Sequence, residues 1–215
     1  MKAFIFDLDG VIVDTAKYHY LAWKNLANEL GFDFTEEQNE QLKGVSRVKS
    51  LEILLQLGKV TLSEDKKEAL LTKKNEEYLE YVHQMTDAEI LPGISDVLNF
   101  LDDNHIKYAL GSASKNAPLI LKKVGLFNRF TAIVDGNDVS KAKPDPEVFL
   151  IAAKKLDQTP EACIVIEDAL AGVQAANLAH MTSVGIGDKN VLKEADYILN
   201  GTEEFTVDFV KKLIA

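Results

Sequence analysis

Short apolar runs rich in β-branched and aromatic residues recur along the chain, and each predicts a buried strand. They lie at Ala3–Phe6, Lys107–Leu110, Ala132–Val134, Ile164–Ile166, Ser183–Gly185 and Tyr197–Leu199. Between the later runs the apolar residues recur at helical spacing, at Ile94–Asp103, Ala117–Val124, Pro146–Leu156, Ala169–Leu178 and Phe205–Ile214. This alternation predicts an α/β fold, in which a parallel sheet carries helices on both faces. Such sheets place their functional groups at the carboxyl ends of the strands.

Residues 15–90 interrupt the alternation, because they show helical patterns and no convincing strand. Helices are predicted at Ala16–Leu30, from the capping-box pattern Thr35-Glu36-Glu37-Gln38 onward, at Arg47–Leu57 and at Ser63–Gln84. Pro92-Gly93 then marks the return to alternating strands and helices. We therefore predict a catalytic core of residues 1–14 and 91–215, with residues 15–90 inserted after the first strand as an all-helical cap domain.

Composition narrows the class of protein. The 215 residues are 47% hydrophobic, enough for a sizeable core, and the net charge of −10 argues against a nucleic-acid or membrane partner. The single Cys163 excludes an intramolecular disulfide and fits a reducing compartment. No apolar run approaches the roughly 20 residues of a membrane span, and no signal-peptide pattern is present. We expect a cytoplasmic protein and, without an obvious interface stripe, a monomer.

Two aspartates follow the first predicted strand, in Asp7-Leu8-Asp9-Gly10. Side chains alternate along an extended backbone, so Asp7 and Asp9 point the same way. Two carboxylates close to a core repel each other unless a cation such as Mg²⁺, which prefers oxygen ligands, lies between them. A solvated turn at Gly10 explains the same residues about equally well.

Polar residues also follow the later strands. Gly111-Ser112-Ala113-Ser114-Lys115-Asn116 can hold a phosphate through hydroxyl and backbone N–H groups, although Ser114 or Asn116 could instead cap a helix. Lys143, before Pro144, can present an ammonium to an anion, although such a lysine is usually solvated. Glu167 and Asp168 form a second acidic pair that can bind metal, and Asp168 can also cap the next helix. An acid pair, a serine, a lysine and a second acid pair together predict a phosphoryl-transfer site.

In this order the motifs resemble those of the haloacid-dehalogenase superfamily of phosphotransferases. Asp7-Leu8-Asp9-Gly10-Val11, Ser112, Lys143 and Glu167-Asp168 correspond to its four motifs. The resemblance implies a Rossmann-like core with a small helical cap, Asp7 as nucleophile and Asp9 as general acid and base. It also implies Mg²⁺ as cofactor, held by Asp7, the Asp9 backbone carbonyl and Asp168, with Glu167 close by.

Four further segments resemble the β-phosphoglucomutase family, namely residues 14–19, 22–24, 42–47 and 112–116. This resemblance implies interconversion of β-D-glucose 1-phosphate and glucose 6-phosphate through an aspartyl phosphate and β-glucose 1,6-bisphosphate. Arg47, aided by residues 114–116, would bind the phosphate that does not react, and His19 would help to place Asp9 as the cap closes. The remaining site residues that we expect are Thr15, Trp23, Gly44, Val45, Ser46, Lys74, Ala113, Ser114, Lys115 and Asn116.

Two other functions remain open on sequence alone. A phosphatase on the same scaffold, acting on a small sugar phosphate, needs no site for a second phosphate. A non-catalytic module that only senses a phosphosugar is the other alternative, but it has no need of a nucleophile at Asp7 paired with Asp9.

Overall fold

The computed structural model describes residues 2–42 and 45–215. Within these ranges six strands form one parallel sheet in the order β3-β2-β1-β4-β5-β6. The strands are β1 Ala3–Phe6, β2 Tyr108–Gly111, β3 Ala132–Val134, β4 Cys163–Glu167, β5 Thr182–Ile186 and β6 Tyr197–Leu199. The predicted parallel sheet is confirmed. Because β1 lies between β2 and β4, the segments that follow these three strands meet at one edge of the sheet.

The helices account for about half of the described chain outside the strands. They are α1 Ala16–Glu29, α2 Glu36–Asn39, α3 Arg47–Leu57, α4 Glu64–Gln84, α5 Ile94–Asp103, α6 Ala117–Lys123, α7 Glu147–Lys155, α8 Leu170–Leu178 and α9 Val207–Ile214. Short 3₁₀ turns lie at Glu40–Leu42, Asp87–Glu89, Pro160–Ala162 and Thr202–Glu204. In the described part of the chain no helix is both long and apolar enough to cross a membrane.

Helices cover both faces of the sheet, which explains why the central strand is apolar throughout. Phe4 and Phe6 of β1 face the apolar sides of α5, α6 and α9, represented by Leu101, Ile120 and Val210. On the opposite face, the core contains Ile5 together with residues of α7 and α8. All four residues of β1 are buried, so Asp7 is delivered to the sheet edge from the centre of the core.

The segment between β1 and α5 contains α1 to α4 and, within its described residues, no strand of the sheet. Its helices build an apolar cluster of their own, which includes Trp23, Leu26, Phe34, Leu51 and Leu54. Other residues of α4, among them Tyr78 and Val82, join the core cluster beside the sheet. These clusters support the division into core and cap, although the boundaries at residues 14 and 91 stay a prediction.

The chain passes between these two parts twice, side by side. Val13 forms a bridge with Ile90, and the Leu91 N–H donates to the Ile12 carbonyl over 3.0 Å. Beside them, the Glu89 carboxylate accepts hydrogen bonds of 2.7 Å from Lys17 Nζ and from the Tyr18 hydroxyl. The two crossings are therefore tied to each other by backbone and by side-chain contacts.

Of the helix caps that the sequence suggests, the capping box of α2 is present, whereas the Asp168 cap of α8 is not. The capping box is present: Thr35 Oγ1 accepts from the Gln38 N–H over 3.2 Å, and Gln38 Oε1 accepts from the Thr35 N–H over 2.9 Å. At α8, Ala169 rather than Asp168 occupies the N-cap position. The reason is that β4 extends to Glu167, whose carboxylate accepts the Ala169 N–H over 2.9 Å and shapes the turn itself.

Candidate active site

The segments that follow β1 to β4 meet residues of α1, α3 and α4 around one cavity of about 450 Å³. Most of the predicted site residues line it: Asp7, Asp9, His19, Trp23, Val45, Ser46, Arg47, Lys74, Ser112, Ala113, Ser114, Lys115, Asn116, Lys143 and Asp168. Thr15 and Glu167 are buried behind this wall, in contact with Asp9 and Lys143 respectively. Gly44, which we also predicted, lies outside the described residues.

Lys143 is a fixed cation at the sheet edge, not the solvated lysine of the alternative interpretation. Its Nζ donates to Asp7 Oδ1 over 2.7 Å, to the Gly111 carbonyl over 3.1 Å and to Glu167 Oε1. Burial by itself would lower the pKa of this ammonium, but the attraction of Asp7 and Glu167 outweighs burial and raises the pKa. Lys143 therefore stays charged and joins the first and the last acidic motif.

Three carboxylates form an acidic cluster beside Lys143. Asp7, Glu167 and Asp168 each offer an oxygen, and these oxygens lie within 4.8 Å of one another. Burial raises the pKa of Glu167 while Lys143 opposes that rise, as expected for an acidic group that needs a cation nearby. Carboxylate oxygens suit a hard divalent cation, so the donor set fits a metal ion.

Two glycines make room for this cluster. A Cβ at Gly10 would collide with the Asp168 carboxylate, and a Cβ at Gly172 would collide with the carboxylate of Glu167. Gly10 also has a φ of +72°, in the left-handed region that glycine adopts most easily. The turn that follows the first acid pair therefore belongs to the site instead of being a merely solvated loop.

Asp9 has different surroundings from Asp7. Its carboxylate accepts a hydrogen bond from Thr15 Oγ1 and does not belong to the acidic cluster. Burial, followed by the negative charges of Asp7 and Asp14, raises the pKa of Asp9 to about 8. At neutral pH this group therefore carries a proton that it can donate.

Behind Asp9, α1 and α4 contribute a cluster of four side chains. The Tyr78 hydroxyl donates to Thr15 Oγ1 over 3.2 Å, and the Tyr78 ring stacks on His19 with centroids 4.1 Å apart. Lys74 Nζ lies 2.7 Å from His19 Nδ1 and 4.7 Å from the centroid of the Trp23 ring. His19 and Lys74 are thus held together, and Asp9 is linked to them through Thr15 and Tyr78.

Burial sets the protonation of this cluster. It lowers the pKa of Lys74 to about 7, and Arg47 adds to that effect by repulsion. Burial also holds the pKa of His19 well below 6.5, with further repulsion from Lys74 and Arg47. A neutral His19 can accept a hydrogen bond from the Lys74 ammonium, so the histidine is not the solvated surface group that its type alone would suggest.

The loop after β2 is organised by its own hydroxyl groups. Ser112 Oγ accepts from the Ser114 N–H over 3.1 Å, and Ser114 Oγ accepts from the Asn116 N–H over 3.3 Å. Asn116 occupies the N-cap position of α6, but its side chain makes no capping bond and instead donates to Asn75 Oδ1 of α4 over 2.9 Å. The capping alternative is therefore wrong for the Asn116 side chain.

Arg47 brings a second cationic group to the cavity from α3. It is the first residue of that helix, directly after Ser46, whose Oγ accepts from the Lys49 N–H over 3.3 Å. Burial lowers the pKa of Arg47 without removing its charge. The cavity thus has cationic groups both at the acidic cluster and on the helices of residues 15–90.

Tyr78 and Asn75 were missed as site residues by reasoning from sequence. Neither residue belongs to a motif in the sequence. Lys74 and Tyr78 are four residues apart and share one face of α4. That spacing was the available signal for Tyr78, because a predicted site lysine places its i+4 neighbour on the same face of the helix.

Comparison with known proteins places this geometry in context. The family model described as haloacid dehalogenase-like hydrolase matches residues 1–180. Beta-phosphoglucomutase of Bacillus subtilis is 42% identical over 212 residues, which are 98% of this chain and 94% of that protein. A phosphorylated carbohydrates phosphatase of Thermotoga maritima is 28% identical over 221 residues and the full length of both chains.

A solved structure agrees over almost the whole chain. The crystal structure of beta-phosphoglucomutase from Clostridium difficile matches with a TM-score of 0.94 at 42% identity. The match covers 99% of this chain and 96% of that chain. The similarity therefore extends through the sheet and through the helices that carry Arg47 and Lys74.

Proposed function

Because the chain belongs to the haloacid dehalogenase-like hydrolase family, we propose that it is a phosphotransferase of the mutase type. Its reaction interconverts β-D-glucose 1-phosphate and glucose 6-phosphate through an aspartyl phosphate on Asp7 and β-glucose 1,6-bisphosphate. One observation carries the proposal. A single cavity contains the Asp7–Lys143 cluster and also a second set of groups that can bind a phosphate, at Arg47 and residues 114–116. The similarity to two beta-phosphoglucomutases over nearly the full length supports it.

The acidic cluster is the proposed Mg²⁺ site. Asp7 and Asp168 would bind the ion with the backbone carbonyl of Asp9, and Glu167 would lie close by in contact with Lys143. The bound ion would supply positive charge against the anionic phosphoryl group. Lys143 supplies further positive charge from the protein itself.

Asp7 and Asp9 take separate roles in the proposed reaction. Lys143 holds Oδ1 of Asp7, so we expect the other carboxylate oxygen to attack phosphorus and form the new P–O bond. As the bond to the sugar oxygen breaks, Asp9 gives that oxygen its proton. In the second half of the reaction, a sugar hydroxyl attacks the phosphorus of the aspartyl phosphate while Asp9 removes the proton of that hydroxyl. The bond between phosphorus and Asp7 breaks, and the phosphoryl group passes to the sugar oxygen. Ser112 and Lys143 hold the transferring group throughout.

The remaining residues serve binding and positioning. The Arg47 guanidinium donates two parallel hydrogen bonds to the phosphate that does not react. Ser114, Lys115 and Asn116 bind the same phosphate. Trp23, Val45, Ser46 and Ala113 line the sugar space, with Gly44 assigned there by resemblance alone. Thr15, His19 and Lys74 position Asp9 through the contacts described above.

A sugar-phosphate phosphatase is the second candidate, and the similarity to the Thermotoga maritima phosphatase favours it. Both reactions pass through the same aspartyl phosphate and differ in whether water or a sugar hydroxyl accepts the phosphoryl group. A phosphate bound by Arg47 matters only to the mutase, because the acceptor sugar must carry a phosphate already. Arg47 therefore separates the two candidates.

The test is Arg47→Ala, assayed with β-glucose 1-phosphate and separately with p-nitrophenyl phosphate, which has one phosphate and no far end. We expect kcat/KM for the mutase reaction to fall about 100-fold through loss of bidentate charged hydrogen bonds, while hydrolysis of p-nitrophenyl phosphate stays nearly unchanged. Lys49→Ala is the matched control, because the Lys49 side chain is exposed on the same helix and forms an ion pair with Glu52. Equal loss on both substrates would contradict the mutase assignment.

A further inference from the structure

We propose that Asn75 is a positioning residue that selects substrates carrying a phosphate at the far end of the sugar. It does so by holding the Asn116 amide in place at the cavity through a hydrogen bond. The inference rests on the proposed function, because it requires that the Asn116 side chain meets a phosphate.

The contact crosses from one part of the molecule to the other. Asn116 lies at the start of α6, after β2, while Asn75 lies on α4, directly after Lys74. Asn116 Nδ2 donates to Asn75 Oδ1 over 2.9 Å, and both side chains are half-buried. Since Asn116 makes no capping bond to its own helix, the bond to Asn75 is what orients its amide.

The orientation matters because the two ends of an amide treat an anion oppositely. The NH₂ group has two hydrogens to donate, whereas the carbonyl oxygen only accepts, as do phosphate oxygens. The acceptor at Asn75 takes one hydrogen of Asn116 and leaves the second N–H for a ligand in the cavity that Asn116 lines. A flipped Asn116 amide would point its oxygen at the phosphate, and it would keep a hydrogen bond to Asn75 only if the Asn75 amide turned as well.

The proposed role of Asn75 at the Asn116 amide differs from a purely structural contact between α4 and α6. A second contact joins the same two helices near their C-terminal ends, where Lys123 Nζ donates to the His83 carbonyl over 2.9 Å. Lys123 does not line the cavity. Removing it loosens the same helix pair without changing the surroundings of the Asn116 amide.

The experiment compares Asn75→Leu with the wild-type enzyme and with Lys123→Met. For Asn75→Leu we expect KM for β-glucose 1-phosphate to rise about three- to tenfold, the value of one neutral hydrogen bond, with kcat nearly unchanged. Turnover of p-nitrophenyl phosphate should stay at the wild-type level, which also shows that the variant is folded. Lys123→Met should behave as wild type on both substrates.

A double-mutant cycle with Asn116→Ala gives the decisive readout. If Asn75 acts through Asn116, Asn75→Leu should raise KM no further in the Asn116→Ala background. An unchanged KM for Asn75→Leu, an equal rise for Lys123→Met, or additive effects in the cycle would each overturn the proposal.

Calorimetry tests the role of Asn75 without depending on whether the protein is a mutase. β-Glucose 1-phosphate is titrated into Asp7→Asn and into Asp7→Asn/Asn75→Leu, neither of which can form the aspartyl phosphate. We expect the second protein to bind the sugar phosphate about three- to tenfold more weakly, and equal affinities would refute the role of Asn75. If the wild-type protein forms no glucose 6-phosphate, the proposed function fails, whereas this titration still decides the role of Asn75.

Discussion

Asp7 and Asp9 lie two residues apart, yet their contacts separate their chemistry. Lys143 holds the Asp7 carboxylate within the acidic cluster, whereas Thr15 holds the Asp9 carboxylate away from that cluster. The proton stays on Asp9 at neutral pH because burial and two neighbouring acids disfavour its charge. One residue is thus suited to attack, and the other to donate and recover a proton.

The first prediction concerns the stability of Asp9→Asn in metal-free buffer. The folded protein holds the Asp9 proton more tightly than the unfolded chain, so wild-type stability falls as pH rises between about 3.8 and about 8. A neutral amide does not titrate, so the substitution should remove this loss and raise the free energy of unfolding by about 2–5 kcal/mol at pH 8. Urea denaturation from pH 5 to pH 9 measures the difference, which should grow with pH. A stability difference that does not depend on pH would contradict the raised pKa of Asp9. In a separate activity assay, the rate of phosphoryl transfer by the variant should drop at least about 100-fold.

The second prediction concerns Lys143→Met. Removing the ammonium leaves Asp7 and Glu167 buried without their cation, which should lower the free energy of unfolding by about 3–5 kcal/mol in metal-free buffer. Adding Mg²⁺ should restore more stability to the variant than it adds to wild type, because the ion then offsets the same charges. Urea denaturation with Mg²⁺ and with a chelator provides the comparison. Equal stabilisation of both proteins by Mg²⁺ would show that lysine and metal do not share these carboxylates.

The residues that follow strands could be predicted from the strand pattern itself, while those on the cap helices were predicted from the family resemblance or missed. Asp7, Ser112, Lys143 and Asp168 follow neighbouring strands, and parallel strands end at a common edge. Tyr78 and Asn75 depend on how α4 packs against α1 and α6, which no local pattern specifies. His19 illustrates the limit, because nothing in its own segment distinguishes a half-buried histidine at the cavity from a solvated one.

At the scale of elements, all six strands and the long helices were predicted, and their ends were less certain. β2 begins one residue later than predicted and includes Gly111, because its register with β3 pairs Gly111 with Val134. α9 begins at Val207 instead of Phe205, because Thr206 caps it by accepting the Phe209 N–H over 3.3 Å. Apolar periodicity does not detect such ends, since Phe205 is buried whether or not it is helical.

The third prediction concerns the turn between β1 and α1. Gly10→Ala should cost about 1–2 kcal/mol of stability for its left-handed backbone. It should also weaken Mg²⁺ binding, because the new methyl group would displace the Asp168 carboxylate. Gly31→Ala is the matched control, since Gly31 has a φ of +87° but no atom within 4 Å of an added Cβ. The Mg²⁺ concentration for half-maximal activity should rise only in Gly10→Ala, and an equal effect in both variants would remove Asp168 from the explanation.

For the whole molecule, the net charge does not describe the groups around the cavity. The chain carries a net charge of −10, but its cavity sets Arg47, Lys115 and Lys143 beside the carboxylates of the acidic cluster. The overall sign bears on nucleic acid and membrane surfaces, whereas a small anionic substrate meets only the local groups. This explains how an acidic protein can offer a site for a sugar that carries two phosphates.

The arrangement of residues 15–90 is relevant to whether water or a sugar accepts the phosphoryl group. These helices bring Arg47 and Lys74 to the cavity whose other wall holds Asp7. A mutase must keep water from the aspartyl phosphate until a phosphorylated sugar is bound, and residues that recognise the far phosphate can link these two events. The acid pair alone is compatible with a phosphatase, and we expect the cap residues to make the difference.

The most direct test follows both products when the wild-type protein is incubated with β-glucose 1-phosphate, Mg²⁺ and a trace of β-glucose 1,6-bisphosphate. Glucose 6-phosphate and inorganic phosphate are measured in the same time course. We predict that glucose 6-phosphate accumulates as the substrate disappears, while inorganic phosphate stays near its starting level. Release of inorganic phosphate in step with substrate loss, without glucose 6-phosphate, would contradict the account.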